Sequence, residues 1–490
     1  MTDAASPSFA ARVRTAVLWR SGSQILTQLV SWASTLIVIR LLAPEDYGLF
    51  AMAGVMLVLL NTMNGYGLAS ALIREAEVTE ERLRQTLGML ILMNGALALI
   101  QFIAAPWVAA YFRHPEVANI LRVQSVIYLT IPFSALPHAI LSRKLDFRRP
   151  AQVRLVGAIV GATIALGMAL GGFGVWTLVA APIGMYITEA VGMMIVARAP
   201  WRPSFRFAGA WHIAGFGGMM TVTQLFWFIQ SQSDVMIAGR MLEAHWLGVY
   251  TTGLFLAQLL AAKFVPPINE VAFAAYSRQQ QSGPGPVLAT MRLVLLIALP
   301  AYAGMAAVAP PLVGVVLGEQ WHEIAPILPI LALAMGLMTL QILFSPATNA
   351  LGQPKVAMRI SMLGAVVMPS AFWVGSHFGV TGFAWGSVGG MAVLTSLTAI
   401  YSCRVIGLPL RALSEAISPI LFAAAMMGAI VYLLRGLLPA MPDFMQLLLL
   451  VPLGAAIYGA VLFAIAPERL IEALRFARNR GEETEGAPAA

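Results

Sequence analysis

The chain has 490 residues, 59 % of them hydrophobic and only 11 % charged, with a net charge of +8 at pH 7. A soluble domain carries about 25 % charged residues, so this chain lacks the side chains to cover a globule in water. Its long apolar runs do not alternate as strands do, which leaves an all-α polytopic membrane protein as the fold class.

A membrane-crossing helix needs about 20 apolar residues to span a hydrocarbon core of roughly 30 Å. In chain order, fourteen runs satisfy that length: 17–42, 47–73, 85–112, 117–142, 153–171, 174–197, 213–239, 246–272, 288–317, 324–350, 356–377, 380–402, 413–438 and 443–466. The opening "MTDAASPSFAAR" and the tail "RNRGEETEGAPAA" read as polar, disordered ends. No small-residue cleavage site follows a short apolar core, so the first run is expected to be a retained span.

Basic residues set the orientation. With a cytoplasmic N-terminus, Lys and Arg gather in the inner segments, as at Arg12, Arg14, Arg74, Arg82, Arg84, Arg143, Lys144, Arg148, Arg149, Arg202, Lys355 and Arg411. Arg40, Arg113, Arg122, Arg240 and Arg435 fall at outer ends, and Lys263 lies inside a span. Both termini are therefore expected in the cytoplasm. Loops facing an anionic leaflet account for the net charge without nucleic acid. The turn in "TLIVIRLLAPEDYGLF", residues 35–50, belongs to the outer face.

A single cysteine, Cys403, rules out an intramolecular disulfide and a Cys-based metal site. The six histidines, His114, His138, His212, His245, His322 and His377, lack metal-ligand spacing and read as interfacial rings. No H-E-x-x-H, G-x-S-x-G or P-loop pattern occurs. Neither a catalytic residue nor a metal or cofactor is expected.

An internal repeat organises the spans. "RLLAPEDYGLFAMA" at 40–53 recurs as "RMLEAHWLGVYTTG" at 240–253, "LVGAIV" at 155–160 as "MLGAVV" at 362–367, and "FGV" at 173–175 as "FGV" at 378–380. The matches keep one order, so the chain divides into an N-terminal lobe (1–197), a C-terminal lobe (198–402), two extra helices (403–466) and a cytoplasmic tail (467–490). Six is an even number, hence the two lobes start on the same side and relate by a pseudo-two-fold along the membrane normal. Such an arrangement suits alternating access.

Polar side chains within spans mark what does not face lipid. Gln24, Gln28, Ser31 and Thr35 form one helical stripe in the first span, and Thr223, Trp227, Gln230 and Asp234 form its counterpart in the seventh. Interhelical hydrogen bonding is the plain account of such stripes. Ionisable groups carry more weight: Lys263, Glu189 and Asp234 lie at depths where a charge costs about 2.5 to 3.5 kcal/mol unless it meets water or a partner. Pairing of Lys263 with Glu270, or of Asp234 with Arg240, is the competing structural account, and Arg122 has the reach of an interfacial anchor. A cationic lining suits an anionic cargo, and a buried carboxylate suits proton coupling.

"RLLAPEDYGLFAMA", "GYGLASALIRE" (65–75), "RKLDFRR" (143–149), "GGFGVWTLVA" (171–180), "PWRPSFRF" (200–207), "LGEQW" (317–321) and "ALGQPK" (350–355) together resemble the oligosaccharide flippase family. These are the Wzx-type polysaccharide transporters of the multidrug, oligosaccharidyl-lipid and polysaccharide exporter superfamily. The resemblance implies a two-lobed flippase of the bacterial inner membrane that moves a polyprenyl-diphosphate-linked oligosaccharide from the cytoplasmic to the periplasmic leaflet. Its product would serve exopolysaccharide, capsule or O-antigen assembly, with coupling to a proton or sodium gradient and a functional association with polymerase machinery. A closed two-lobed bundle needs no second copy, so a monomer in contact with membrane lipid is expected. Mapped onto this chain, the headgroup role falls to Lys263, Arg122, Gln28 and Gln230, and ion coupling to Glu189 and Asp234. Arg40 and Arg240 would set an outer gate, Arg40 reaching Glu45 or Asp46 and Arg240 reaching Asp234 or Glu243, unless they merely complement helix dipoles. A cation-coupled multidrug antiporter of the same superfamily is the second reading, and a membrane polymerase or glycosyltransferase the third.

Overall fold

A computed structural model describes residues 9–63, 79–144, 146–206, 218–278, 284–439 and 441–468; these are almost entirely helical, with no strand among them. In order the helices are α1 (Phe9–Ile39), α2 (Pro44–Met63), α3 (Glu80–Phe112), α4 (Glu116–Gln124), α5 (Val126–Arg143), α6 (Arg148–Leu170) and α7 (Val175–Ala197). They continue with α8 (Gly218–Met241), α9 (Ala244–Arg278), α10 (Gly285–Ala307), α11 (Ala309–Val316), a 3₁₀ turn (Glu319–Ile324) and α12 (Leu328–Ile342). The last are α13 (Ser345–Ala350), α14 (Pro354–Ser376), α15 (Gly379–Ile406), α16 (Leu410–Leu437) and α17 (Asp443–Ile465). Among the described residues, 10 helical segments are long and apolar enough to cross a membrane. The protein is a multi-pass membrane protein.

Helix ends follow caps rather than apolarity. The third expected run begins at residue 85, yet α3 starts at Glu80, because the Thr79 side chain accepts the Arg82 amide and Glu80 and Glu81 complement the positive end of the helix dipole. Three runs expected to be continuous are broken, and at each break side chains donate to nearby backbone carbonyls, which suits a lipid environment. Between α4 and α5, Gln101 of α3 donates to the Leu121 carbonyl at 2.8 Å and Ser125 donates to that of Arg122 at 2.6 Å. Between α10 and α11, ahead of Pro310 and Pro311, Arg435 donates to the Ala307 carbonyl at 2.7 Å. Between α12 and α13, with Pro346 following, Thr348 turns its hydroxyl back onto the carbonyls of Phe344 and Ser345.

The chain forms two compact units: Met1–Phe228 with Glu243–Gly248, and Ile229–Leu242 with Val249–Ala490. In the first, α6 and α7 form a closely packed hairpin, α1 lies along α6, and α5 lies along α7 and α3. In the second, α14 and α15 form the corresponding hairpin, α12 packs on α10 and α15, and α16 joins α10 to α17. Small residues bring the hairpin backbones together. A Cβ at Gly161 would stand 3.2 Å from that of Met185, and one at Gly386 would stand 2.6 Å from the Ala371 carbonyl oxygen. Large apolar side chains cover the outside: Trp107 is 68 % exposed and Leu437 80 %. Lipid, not water, suits such a surface.

Candidate functional site

In the first unit the polar stripe of α1 lines a cavity of about 310 Å³. Gln24, Thr27, Gln28 and Ser31 form one wall, and His138 of α5, Phe147, and Pro150, Ala151 and Arg154 of α6 form the rest. Thr35, the fourth residue of the expected stripe, is not among the lining residues. The hairpin explains how Arg154 is held there. Gly157, one turn further along α6, lets the Met185 backbone and the Glu189 side chain of α7 come close, and the Arg154 Nε then donates to Glu189 Oε1 at 3.2 Å. The arginine side chain is 55 % exposed and the glutamate 19 %. An arginine carries five donors in a planar fork, so the Nε contact leaves most of that fork for another acceptor. His138 adds a ring 3.4 Å from the Ser142 hydroxyl. Hydrogen-bonding side chains, a histidine and a guanidinium thus share one hollow, an arrangement suited to a hydrated anion.

At the turn between α1 and α2, Glu45 stands at the place in the repeat that corresponds to His245, and Glu45 Oε1 lies 2.9 Å from His245 Nδ1. Their backbones meet reciprocally. A Cβ at Gly48 would strike the Ala244 carbonyl, and one at Gly248 would strike the Pro44 carbonyl, so at both positions only glycine permits the approach. Asp46 accepts its own turn's Ala43 amide at 3.1 Å and also the Val175 amide, capping α2 and α7 together. Glu45 is thus engaged by His245, and Asp46 by backbone amides. Arg40 itself is exposed, and Arg240 is half-buried.

In the second unit Asp234 is 7 % exposed and Tyr250 1 %. The Tyr250 hydroxyl hydrogen-bonds the Asp234 carboxylate, which also accepts the Val235 amide at 2.7 Å. Phe383 supports the phenol edge-on, with ring centroids 4.9 Å apart. Gln230 lies one turn away on α8 with its side-chain amide against Gly364 of α14. The Lys263 side chain, its expected partner Glu270, and Thr223 fall outside the described side chains, and Arg74 and His212 lie outside the described residues.

The candidates therefore separate. Gln28 enters the cavity and Glu189 holds the cavity's arginine, while Gln230 and Asp234 share one region of the second unit. Arg122 sits elsewhere, exposed on α4 with its guanidinium 5.6 Å from the Phe102 ring centroid. Sequence reading did not single out Arg154, which stands at the very start of the expected run 153–171 beside the basic cluster at Arg148 and Arg149. A signal was present: in an antiparallel hairpin turning near Gly172, residues 154 and 189 lie about equally far from the turn and so at equal depth. His138, His245 and Tyr250 carried no comparable signal, since each acquires its role from a residue remote in sequence.

Residues 37–326 match the family described as "Polysaccharide biosynthesis protein". The succinoglycan biosynthesis transport protein ExoT of Rhizobium meliloti (strain 1021) is 26 % identical over 466 residues, 93 % of each chain. The lipopolysaccharide biosynthesis protein WzxC of Escherichia coli (strain K12) is 21 % identical over 304 residues, 60 % of this chain and 61 % of that one. Among solved structures, lipid II flippase MurJ in an inward closed conformation is similar with a TM-score of 0.74 at 13 % identity, covering 93 % of this chain and 100 % of that one. An inward-facing multidrug resistance MATE family transporter of the MOP superfamily has a TM-score of 0.63 at 17 % identity, covering 80 % and 98 %. At these identities the structural likenesses bear on the fold alone.

Proposed function

The chain belongs to the family of polysaccharide biosynthesis proteins, and we propose that it turns a polyprenyl-diphosphate-linked oligosaccharide from the cytoplasmic to the periplasmic leaflet for surface polysaccharide assembly. One observation carries this reading: the likeness to a succinoglycan transport protein extends over 93 % of both chains. On this reading it is a transporter and not an enzyme, a fourteen-span monomer of the bacterial inner membrane with both termini in the cytoplasm, working beside a polymerase.

The physics of the cargo asks for such a protein. A diphosphate and several sugars cannot cross about 30 Å of hydrocarbon without losing their hydration, so the protein has to supply polar partners along the way while the polyprenyl tail stays in lipid. Gln28 in the first unit, Gln230 and Lys263 in the second, and Arg122 are assigned to the headgroup. Glu189 and Asp234 are assigned to proton or sodium coupling. Arg40 and Arg240 are assigned to an outer gate, beside a turn held by the Glu45–His245 contact and the crossed glycines.

Purified protein in proteoliposomes, given a fluorescent polyprenyl-diphosphate oligosaccharide in one leaflet, tests the function. Transfer to the other leaflet, together with restored surface polymer in a deletion strain, is the expected result. Protein that transfers none, or that changes drug susceptibility while polymer export is unaffected, favours the multidrug reading instead.

A further inference from the structure

Arg154 and Glu189 stand out because the repeat does not require them. The second hairpin, α14 with α15, packs through the same kind of small-residue contacts, yet by the repeat alignment it carries Ser361 where the first has Arg154 and the buried Leu394 where the first has Glu189. Hairpin packing therefore does not need an ion pair at this depth. The pair also borders a cavity, with the guanidinium more exposed than its partner.

Resting on the flippase reading, we propose that Arg154 is the headgroup's phosphate contact within the first unit and that Glu189, the carboxylate assigned to ion coupling, is its built-in competitor, so that an ion neutralising Glu189 frees Arg154. The ligand class is a diphosphate ester. A guanidinium fork fits phosphate oxygens bidentately, and Gln24, Gln28 and Ser31 on the opposite wall supply further donors for the anion or its attached sugar. Glu189 occupies Arg154 when the site is empty, which avoids an unpaired charge within the bundle, and it is displaced when the more highly charged diphosphate arrives. Its return to Arg154 then favours release. Transport needs this balance, because a site that binds too tightly does not let its cargo leave.

The test is equilibrium binding to the full chain in nanodiscs, with polyprenyl diphosphate, polyprenol and inorganic pyrophosphate as separate probes. Arg154→Gln should weaken polyprenyl diphosphate binding about tenfold or more, the size of one charge-assisted hydrogen bond, and leave polyprenol binding unchanged. Arg154→Lys, which keeps the charge without the fork, should fall between. Glu189→Gln should tighten diphosphate binding several-fold while slowing transfer in proteoliposomes. Arginine variants that bind like the unaltered chain overturn the proposal, as does Glu189→Gln weakening the binding together with the thermal midpoint, the behaviour of a structural clamp. Pyrophosphate bound as tightly as the lipid overturns the assignment to a lipid headgroup. An unaltered chain that does not distinguish polyprenyl diphosphate from polyprenol ends the flippase reading itself, whereas transfer that survives every arginine variant ends only this subsite.

Discussion

The two halves of the chain share a way of packing and differ in where they keep charge. Each has a hairpin drawn together by small residues, α6 with α7 and α14 with α15. The first half places an arginine–glutamate pair beside a cavity lined in part by polar side chains, whereas the second buries a carboxylate against a phenol, Asp234 with Tyr250. The positions corresponding to that second pair are Ser34 and Phe50, which cannot form it. Duplicated architecture thus carries duplicated small-residue contacts but not duplicated chemistry. Close backbone approach is shared by both copies, while the charged groups differ between them.

The largest effect is expected where the two copies meet symmetrically. Gly48→Ala and Gly248→Ala each drive a methyl group into a facing carbonyl, so both should abolish polymer export to the same degree, as measured by complementation at matched protein levels. A clear difference between them would break the symmetry argued for the turn. Next comes the asymmetric pair. If Asp234 has the proposed coupling role, Asp234→Asn should lower transfer in proteoliposomes at least about tenfold, while Ser34→Ala at the corresponding place should leave it unchanged.

A smaller contrast is expected between the hairpins. Gly386→Ala puts a Cβ 2.6 Å from a carbonyl oxygen and should cost about 1 to 3 kcal/mol, whereas Gly161→Ala meets its nearest atom at 3.2 Å and should cost about 1 kcal/mol or less. Thermal unfolding in detergent would separate the two. The smallest effect belongs to His245→Gln, whose partner Glu45 is more than half exposed. Stability should change by less than about 1 kcal/mol, measured the same way.

Much of the fold was legible in the sequence, because a bilayer leaves a chain few choices. Length and apolarity identify a span, and the repeat of "RLLAPEDYGLFAMA" matches a turn in one half with its counterpart in the other. Breaks within runs were less legible. Ser125 looks like any mid-span serine until Gln101, on another helix, is seen to donate to the Leu121 carbonyl beside the break. The α1 stripe was legible as a polar face, since helical spacing alone aligns Gln24, Gln28 and Ser31.

What the sequence determined by itself, then, is which segments enter the membrane and which faces are polar, because hydropathy and helical period are local properties. Tertiary structure decided the partners: Arg154 with Glu189, Glu45 with His245, Asp234 with Tyr250. Electrostatic and hydrogen-bonding energies depend on separations of a few ångströms between groups 16 to 200 positions apart in the chain, and only the packing of helices through their glycines brings such groups within reach.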